Sequence, residues 1–292
     1  MSEKLIEQLY ELIRSASTQL PADVEAALQA AGRREPAGGM AANTFTAILD
    51  NVGMARAAVT PICQDTGYLI FYVYHPVGLD TLAFRAAIEA AAQRATKAIL
   101  LRPNAVDPIT GKNSGTNVGT NAPYVTFKAW EKPEVRVKLL LKGGGSENVG
   151  AQYKLPDGAL GAGRDLKGVR KCVLDAVYKA QGQGCAPGIV GVGIGGDRAT
   201  SYLLSKEQFF RRLGSPNPDP QLGAFEQELH ADLNRLGIGP MGFGGQTTVL
   251  GVFVAAQHRH PATFYVAVSY MCWACRRQEM TLANGEATYD QA

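Results

Sequence analysis

The chain has 292 residues, of which 46% are hydrophobic and 19% are charged, and its formal net charge at pH 7 is +3. This composition is ordinary for a globular protein, and so weak and evenly spread a charge does not favour binding to nucleic acid or to a membrane surface. No apolar run approaches the roughly 20 residues of a membrane-spanning helix, and the charged N-terminus lacks the apolar core of a signal peptide. We therefore expect a cytoplasmic protein.

The apolar periodicity predicts a mainly helical part over residues 1–58, followed by a mixture of strands and helices. Strands are expected over 68–74, 124–130, 135–141, 188–194, 247–256 and 262–273, and helices over 81–100, 164–180, 200–212 and 221–235. Because the strands do not alternate strictly with the helices, we predict an α+β fold of mixed sheets surrounded by helices, in one domain over 1–292. Residues 102–122 form a long polar loop, and such loops are usually functional.

Five cysteines in a chain of this size and compartment do not indicate a disulfide framework. Cys63 lies in a polar turn, Cys185 lies between a glycine and Ala-Pro, and Cys272 follows an apolar strand. These positions favour a ligand or a nucleophile over a core residue. By contrast, Cys172 lies on the apolar face of a predicted helix, so we expect it to be part of the core.

Three cysteines at turns or strand ends suit an iron–sulfur cluster that is bound through three thiolates rather than four. A four-iron cluster held in this way keeps one iron open as a Lewis acid, which predicts hydration or dehydration rather than electron transfer. Two alternatives stay open. Cys272 and Cys275 form a Cys-x-x-Cys pair that, with His258 and His260 upstream, would suit zinc or redox chemistry.

The second alternative is a nicotinamide dinucleotide site, because Gly191, Gly193 and Gly196 match the pattern G-x-G-x-x-G. No acidic residue follows at the distance that ribose binding requires, which disfavours it. Arg102 could bind a carboxylate or cap the preceding helix. Residues 142–145, a lysine and three glycines, could bind an anion or form a plain turn. Residues 276–277, two arginines, are expected to be solvated where the last strand ends.

Seven segments together resemble the alpha part of the class I fumarase and L-tartrate dehydratase family, the iron–sulfur hydro-lyases. They are PICQDTG (61–67), LRPNAVDP (101–108), NSGTNVGTNAP (113–123), KGGGSEN (142–148), GIGGDRATSYLLSK (193–206), LGIGPMGFGGQTTVLGV (236–252) and AVSYMCWACRR (267–277). The resemblance spans residues 40–277, and its PICQDTG and KGGGSEN segments are specific in combination.

The resemblance implies a four-iron four-sulfur cluster on Cys63, Cys185 and Cys272, with the fourth iron facing the substrate. Cys275 makes the third ligand ambiguous, and Cys272 is preferred because it directly precedes the tryptophan of the family motif. The resemblance also assigns roles around the cluster: Asp65 is the general base, Gln64 and Arg102 contact substrate carboxylates, and the backbone of Gly144 and Gly145 lines the substrate pocket.

Long members of this family carry a second, swivelling domain, for which this chain has no room. The resemblance therefore implies a separate beta subunit that carries this domain, in a dimer of alpha–beta pairs. The expected substrate is a C4 dicarboxylate. KGGGSEN and GFGGQTT favour reversible hydration of fumarate to malate, and L-tartrate dehydratase and mesaconate hydratase are the close alternatives.

Overall fold

The computed structural model describes residues 2–290, which divide into two compact units. The first unit contains residues 2–22, 50–144 and 276–290, and the second contains 23–49 and 145–275. None of the helices formed by the described residues is both long enough and apolar enough to cross a membrane. The expectation of a single domain over 1–292 stays a prediction.

Nine strands and eight α-helices make up the described chain, apart from short 3₁₀ turns. In chain order they are α1 (Glu3–Thr18), α2 (Ala22–Arg34), α3 (Met40–Ala58), β1 (Tyr68–His75), α4 (Thr81–Lys97), β2 (Tyr124–Ala129), β3 (Val135–Lys142), α5 (Gly144–Asn148), β4 (Ala151–Lys154), α6 (Leu166–Ala180), β5 (Gly188–Ile194), α7 (Arg198–Glu207), α8 (Pro220–Asn234), β6 (Val249–Ala256), β7 (Tyr265–Met271), β8 (Arg276–Ala283) and β9 (Glu286–Asp290). The predicted α+β class is confirmed.

The first unit is built on a mixed five-stranded sheet in the order β2-β1-β3-β8-β9. Strand β1 runs parallel to β2 and antiparallel to β3. Helices α1 and α4 cover this sheet, because Leu9, Leu12 and Ala16 recur at helical spacing on α1 and are fully buried. On α4, Ala87 and Ala91 are also fully buried, and these small side chains let α1 pack closely.

The second unit contains a mixed four-stranded sheet in the order β4-β7-β5-β6. Its interior strand β5 has no side chain at Gly191 or Gly193, where a Cβ would lie 2.1 Å from the carbonyl oxygens of Ser205 and Ser201, respectively. These two glycines therefore let α7 pack directly on the strand. The G-x-G-x-x-G pattern thus has a packing explanation, which leaves the dinucleotide hypothesis without its main support.

The end of the chain differs from the expectation. Residues 276–277 are not solvated where the last strand exits, because two further strands, β8 and β9, follow. Arg276 and Arg277 are only 1% and 3% exposed. Strand β8 pairs with β3 on one side and β9 on the other, so its polar residues are buried inside a sheet. Its sequence lacks an apolar alternation, which is why the strand was not predicted.

Candidate functional site

The turn that carries Cys63 is anchored within the first unit through two hydrogen bonds of the preceding residue, Ile62. The backbone N–H of Ile62 donates to the carbonyl of Ser17 at 3.0 Å, and the Asn51 side chain donates to the Ile62 carbonyl at 2.8 Å. Ile62 itself is buried, while Cys63 is partly exposed and Gln64 is exposed. The turn therefore presents the Cys63 thiol and the Gln64 side chain outward from a fixed backbone.

Thr66 connects this turn to the long polar loop that begins near Arg102. Its buried hydroxyl accepts hydrogen bonds from the Arg102 backbone N–H at 3.0 Å and from the Asn104 side chain at 3.2 Å. The loop is stabilised in turn by Asn117, whose side-chain amide donates to the Arg102 carbonyl and accepts from the Asn104 backbone, both at 2.8 Å. The structure thus brings the Cys63 turn and Arg102 together.

Asp65 is bound to the backbone on two sides. One carboxylate oxygen accepts the N–H of Gly67 at 3.1 Å, and the other accepts the N–H of Gly144 at 2.8 Å. Gly67 has a φ of +80°, and a Cβ there would lie 2.7 Å from the Lys142 carbonyl carbon, so only glycine fits. Residues 142–144 are therefore not a plain hairpin turn. They end β3 and begin α5 against the Asp65 turn.

Arg276 is a residue of this neighbourhood that the sequence did not reveal. A Cβ placed on Gly143 would lie 3.0 Å from the Asp65 carboxylate and 3.7 Å from Arg276 Nη2, so the two side chains flank Gly143. The Nε and Nη1 atoms of Arg276 are buried and have no hydrogen-bond partner among residues 2–290. Two buried guanidinium nitrogens without a partner are unusual, and they make Arg276 a candidate for binding an anion.

The second unit brings Cys185 and Cys272 together. Cys185 has a left-handed backbone (φ 56°, ψ 64°), and its carbonyl accepts the N–H of Trp273 at 3.2 Å. This bond fixes the end of strand β7 beside the Cys185 loop. The same loop is held from a second side, since the Ala186 carbonyl accepts the N–H of Met241 at 2.8 Å. The predicted glycine-rich turn over 237–246 thus supports the Cys185 loop.

Tyr270 lies under this loop and was not singled out by the sequence. Its ring packs against Gly184 and Gly188, where a Cβ would approach ring atoms to 2.5 and 2.2 Å. The residue is 2% exposed, and its hydroxyl has no hydrogen-bond partner in the described part of the chain. Burial raises the pKa of Tyr270, and the negative charges of Cys272 and Cys185 raise it further.

Solvent exposure divides the five cysteines into two groups. Cys63, Cys185 and Cys272 are partly exposed, whereas Cys172 and Cys275 are fully buried. Cys172 belongs to the apolar core, as predicted, and burial together with Asp157 and Asp175 raises its pKa to about 12. The three partly exposed cysteines are the ones that we expect from the sequence resemblance to be cluster ligands.

The zinc alternative has little geometric support. No three or more His, Cys, Asp and Glu side chains of residues 2–290 are grouped closely enough to hold a single metal ion, so Cys272, Cys275, His258 and His260 do not form such a site. A cluster is a different case, since its thiolates bind separate iron atoms and need not converge on one point.

Comparison with known proteins places these features in a family. Residues 6–281 match the family described as Fumarate hydratase (Fumerase). A Geobacillus stearothermophilus protein whose name assigns it to class I fumarate hydratases is 51% identical over 278 residues, which cover 94% of this chain and 54% of that protein. The chain therefore spans about half the length of this relative.

Two further relatives are matched over almost their whole length. A Methanocaldococcus jannaschii protein named as an L(+)-tartrate dehydratase alpha subunit is 34% identical, over 94% of this chain and 96% of that protein. The L(+)-tartrate dehydratase alpha subunit of Escherichia coli is 32% identical, over 98% and 93%. The chain belongs to the fumarate hydratase family.

Proposed function

We propose that this member of the fumarate hydratase family is the cluster-binding part of a hydro-lyase that interconverts fumarate and malate. The observation that carries the proposal is the position of Asp65, whose carboxylate is held by the backbone of Gly67 and Gly144 two residues after Cys63. The 51% identity to a relative named for fumarate hydration, against 34% and 32% for relatives named for tartrate, favours fumarate among the C4 dicarboxylates.

The proposed cofactor is a four-iron four-sulfur cluster bound by Cys63, Cys185 and Cys272. Three observations fit this group: these three cysteines are partly exposed, Cys185 and Cys272 lie at one end of the second unit, and a buried tyrosine hydroxyl beside them lacks an acceptor among residues 2–290. The assignment of Cys63 rests on its sequence motif. When bound, a cluster with three cysteine ligands would supply a Lewis-acidic iron for the hydroxyl that leaves as malate is dehydrated.

Asp65 is the proposed base that takes the proton from the substrate carbon next to the hydroxyl-bearing one. A carboxylate has about four acceptor sites, and the two backbone N–H groups occupy only two of them. The remaining lone pairs can accept a proton while the two hydrogen bonds keep the carboxylate oriented. In the reverse direction, Asp65 returns the proton to the carbon as water adds to fumarate.

Binding of the substrate carboxylates is assigned to Gln64, Arg102 and the backbone of Gly144 and Gly145. Gln64 and Arg102 are exposed, and the Arg102 guanidinium has no ion-pair partner among residues 2–290. An arginine that is free of internal partners can bind a carboxylate through two parallel hydrogen bonds. The hydrogen bonds of the Arg102 backbone with the side chains of Thr66 and Asn117 fix the position of the Arg102 Cα atom, from which this side chain extends.

A partner is part of the proposal because two relatives are named as alpha subunits, a term that implies another subunit. We assign to this partner the swivelling domain that the family resemblance predicts, and we propose an assembly of two such alpha–beta pairs. In the proposed complex the partner contributes the remaining wall of the active site and the catalytic acid.

Steady-state rates of the complex, reconstituted anaerobically, on malate, tartrate and methylmalate test the substrate assignment. We expect malate to give the highest kcat/KM. A higher value for tartrate would reassign the protein to tartrate dehydration, and a higher value for methylmalate would reassign it to mesaconate hydration. Absence of turnover on all three substrates by a complex that contains its cluster would contradict the proposed reaction class.

A further inference from the structure

We propose that the hydroxyl of Tyr270 donates a hydrogen bond to a sulfur of the cluster at Cys185 and Cys272, either a sulfide or a cysteine thiolate, and thereby raises the reduction potential of that cluster. Tyr270 is in this view a positioning residue, which acts on the cofactor and does not touch the substrate. The inference rests on the proposed function, because it requires that these two cysteines bind the cluster.

The ring of Tyr270 is held in one place by the strands around it. In the sheet, Tyr270 of β7 lies opposite Val190 of β5. Its ring fills the space left by Gly184 and Gly188, where a Cβ would lie 2.5 Å from Cε1 and 2.2 Å from Cζ, respectively. A ring packed so closely on backbone cannot turn its hydroxyl towards another region without moving the Cys185 loop.

The hydroxyl of this fixed ring lacks an acceptor in the described chain. Tyr270 is 2% exposed, so bulk water does not satisfy the group. Buried tyrosine hydroxyls usually find a hydrogen-bond partner, and leaving one without a partner costs free energy. The simplest explanation of the unpaired hydroxyl is an acceptor that belongs to a bound group rather than to the protein.

The position of the hydroxyl indicates which bound group this is. Gly184 and Gly188, which contact the ring, lie on either side of Cys185, and Cys272 follows Tyr270 by two residues. The bond from Trp273 N–H to the Cys185 carbonyl holds the two cysteines at the same end of the unit. An acceptor here would therefore be a sulfur atom of the cluster or of its ligands.

Hydrogen bonds to cluster sulfurs are one of the factors that set the reduction potential of iron–sulfur proteins. Such a bond stabilises the reduced cluster more than the oxidised one, because the reduced cluster carries one more negative charge. Removing the bond should therefore lower the potential. In a hydro-lyase, a higher potential resists loss of electrons to oxidants, so the bond would protect a cluster that has an open iron.

The test compares Tyr270→Phe with Tyr202→Phe, a partly buried tyrosine of the same unit that has no assigned role in the site. Iron and sulfide are counted in wild type and in both variants after anaerobic reconstitution, and the midpoint potential of each cluster is then measured by redox titration followed by electron paramagnetic resonance. We expect Tyr270→Phe to shift the equilibrium towards the oxidised cluster about tenfold, which lowers the potential by ~59 mV for one electron. Tyr202→Phe should leave it unchanged.

Equal potentials in wild type and Tyr270→Phe would overturn this inference and leave the proposed function intact. A shift of the same size in Tyr202→Phe would also overturn it, because the effect would then be general repacking. If wild type holds no iron and sulfide, both the inference and the proposed cofactor fail. If Tyr270→Phe does not fold or does not hold a cluster, the wild-type protein is exchanged into D₂O and its cluster is examined by electron paramagnetic resonance for coupled deuterons. We expect a strongly coupled exchangeable deuteron at the cluster. The absence of this deuteron would overturn the inference.

Discussion

The carboxylate of Asp65 accepts the backbone N–H of Gly144 at 2.8 Å, across 79 positions of sequence. The reason lies in the sheet of the first unit, where Tyr68 at the start of β1 is paired with Lys142 at the end of β3. The turn before β1 and the glycines after β3 therefore meet at one edge of the sheet. The Asp65 turn of the PICQDTG segment and residues 142–144 of the KGGGSEN segment are thus in contact within the first unit.

The first prediction concerns the charge on Asp65. Asp65→Asn keeps the shape of the side chain and one oxygen that can accept the N–H of Gly144, but its NH2 group cannot accept the N–H of Gly67 and it cannot take a proton from carbon. We expect the iron content and the unfolding temperature to change little, and kcat for malate to fall by at least about 100-fold, as for loss of a general base. Activity within a few-fold of wild type would remove Asp65 from the role of base.

The second prediction uses the narrow space beside Gly143. A Cβ at this position would lie 3.0 Å from the Asp65 carboxylate, so Gly143→Ala should push the carboxylate away and lower kcat about tenfold or more, since small misplacements of catalytic groups are costly. Gly53→Ala in helix α3 is the control, because a Cβ there meets no atom within 4 Å. The control should keep full activity. An equal loss of kcat in both variants, or no loss in Gly143→Ala, would contradict the proposal that catalysis depends on the position of the Asp65 carboxylate beside Gly143.

The third prediction separates stability from activity at Arg276. Because its Nε and Nη1 are buried and have no partner among the described residues, Arg276→Met should leave the unfolding free energy of the cluster-free protein unchanged or raise it by about 1 kcal/mol. The same change should lower kcat/KM for malate at least about tenfold, because it removes a positive charge beside Asp65 in a site for a dianion. Arg276→Lys keeps the charge and should retain more activity.

Urea unfolding and malate kinetics of the two Arg276 variants provide the measurement. Destabilisation of Arg276→Met by several kcal/mol would mean that the guanidinium has a strong partner in the protein. Equal kcat/KM for Arg276→Met and wild type would mean that this arginine has no part in the site.

The fourth prediction concerns pH and Asp232, which accepts hydrogen bonds from Arg170 and Arg235 and is 7% exposed. The hydrogen bond from Arg170 lowers the pKa of this carboxyl in the folded protein, against the opposing effect of burial. The ion pairs therefore stabilise the fold fully above the ordinary carboxyl pKa, and this stabilisation is lost as the pH falls through the lowered value.

Asp232→Asn should thus lower the unfolding free energy by about 1 kcal/mol at pH 7, a modest value because both arginines are partly exposed. The difference from wild type should narrow as the pH falls below the ordinary carboxyl pKa, because Asp232 is then protonated first in the unfolded chain and, at lower pH, in the folded protein. Urea unfolding at several pH values measures this. If the difference in unfolding free energy between wild type and Asp232→Asn grows as the pH falls, the lowered pKa of Asp232 is contradicted.

Much of the fold follows from local sequence patterns. The apolar periods of α1, α4 and α6 and the β-branched run of β5 correctly predicted their elements, and Cys172 was correctly expected to be part of the core. Strand β8 was missed because residues 276–279 are Arg-Arg-Gln-Glu, a polar run that resembles a solvated exit. Its burial depends on pairing with β3, more than 130 residues earlier, and a local pattern does not carry that information.

The candidate site likewise contains residues that the sequence pointed to and one that it did not. Short motifs predicted Cys63, Asp65, Arg102 and Gly144 as site residues because polar and glycine residues cluster around them, and those assignments stay predictions. Tyr270 gave no such signal, since an aromatic residue in an apolar strand is ordinary. The proposed role of Tyr270 depends on the three-dimensional structure, where its hydroxyl is buried near the Cys185 loop and has no hydrogen-bond partner in the part of the chain that the structure describes.

Counting iron and sulfide in cysteine variants after anaerobic reconstitution tests the central claim most directly. Wild type should bind about four iron and four sulfide ions per chain. The same content is expected in Cys172→Ser and Cys275→Ser, because each of these changes removes a buried thiol outside the proposed ligand set. Cys63→Ser, Cys185→Ser and Cys272→Ser should each lose most of the iron. Iron retained in these three variants, or lost in Cys275→Ser but not in Cys272→Ser, would contradict the proposed cluster site.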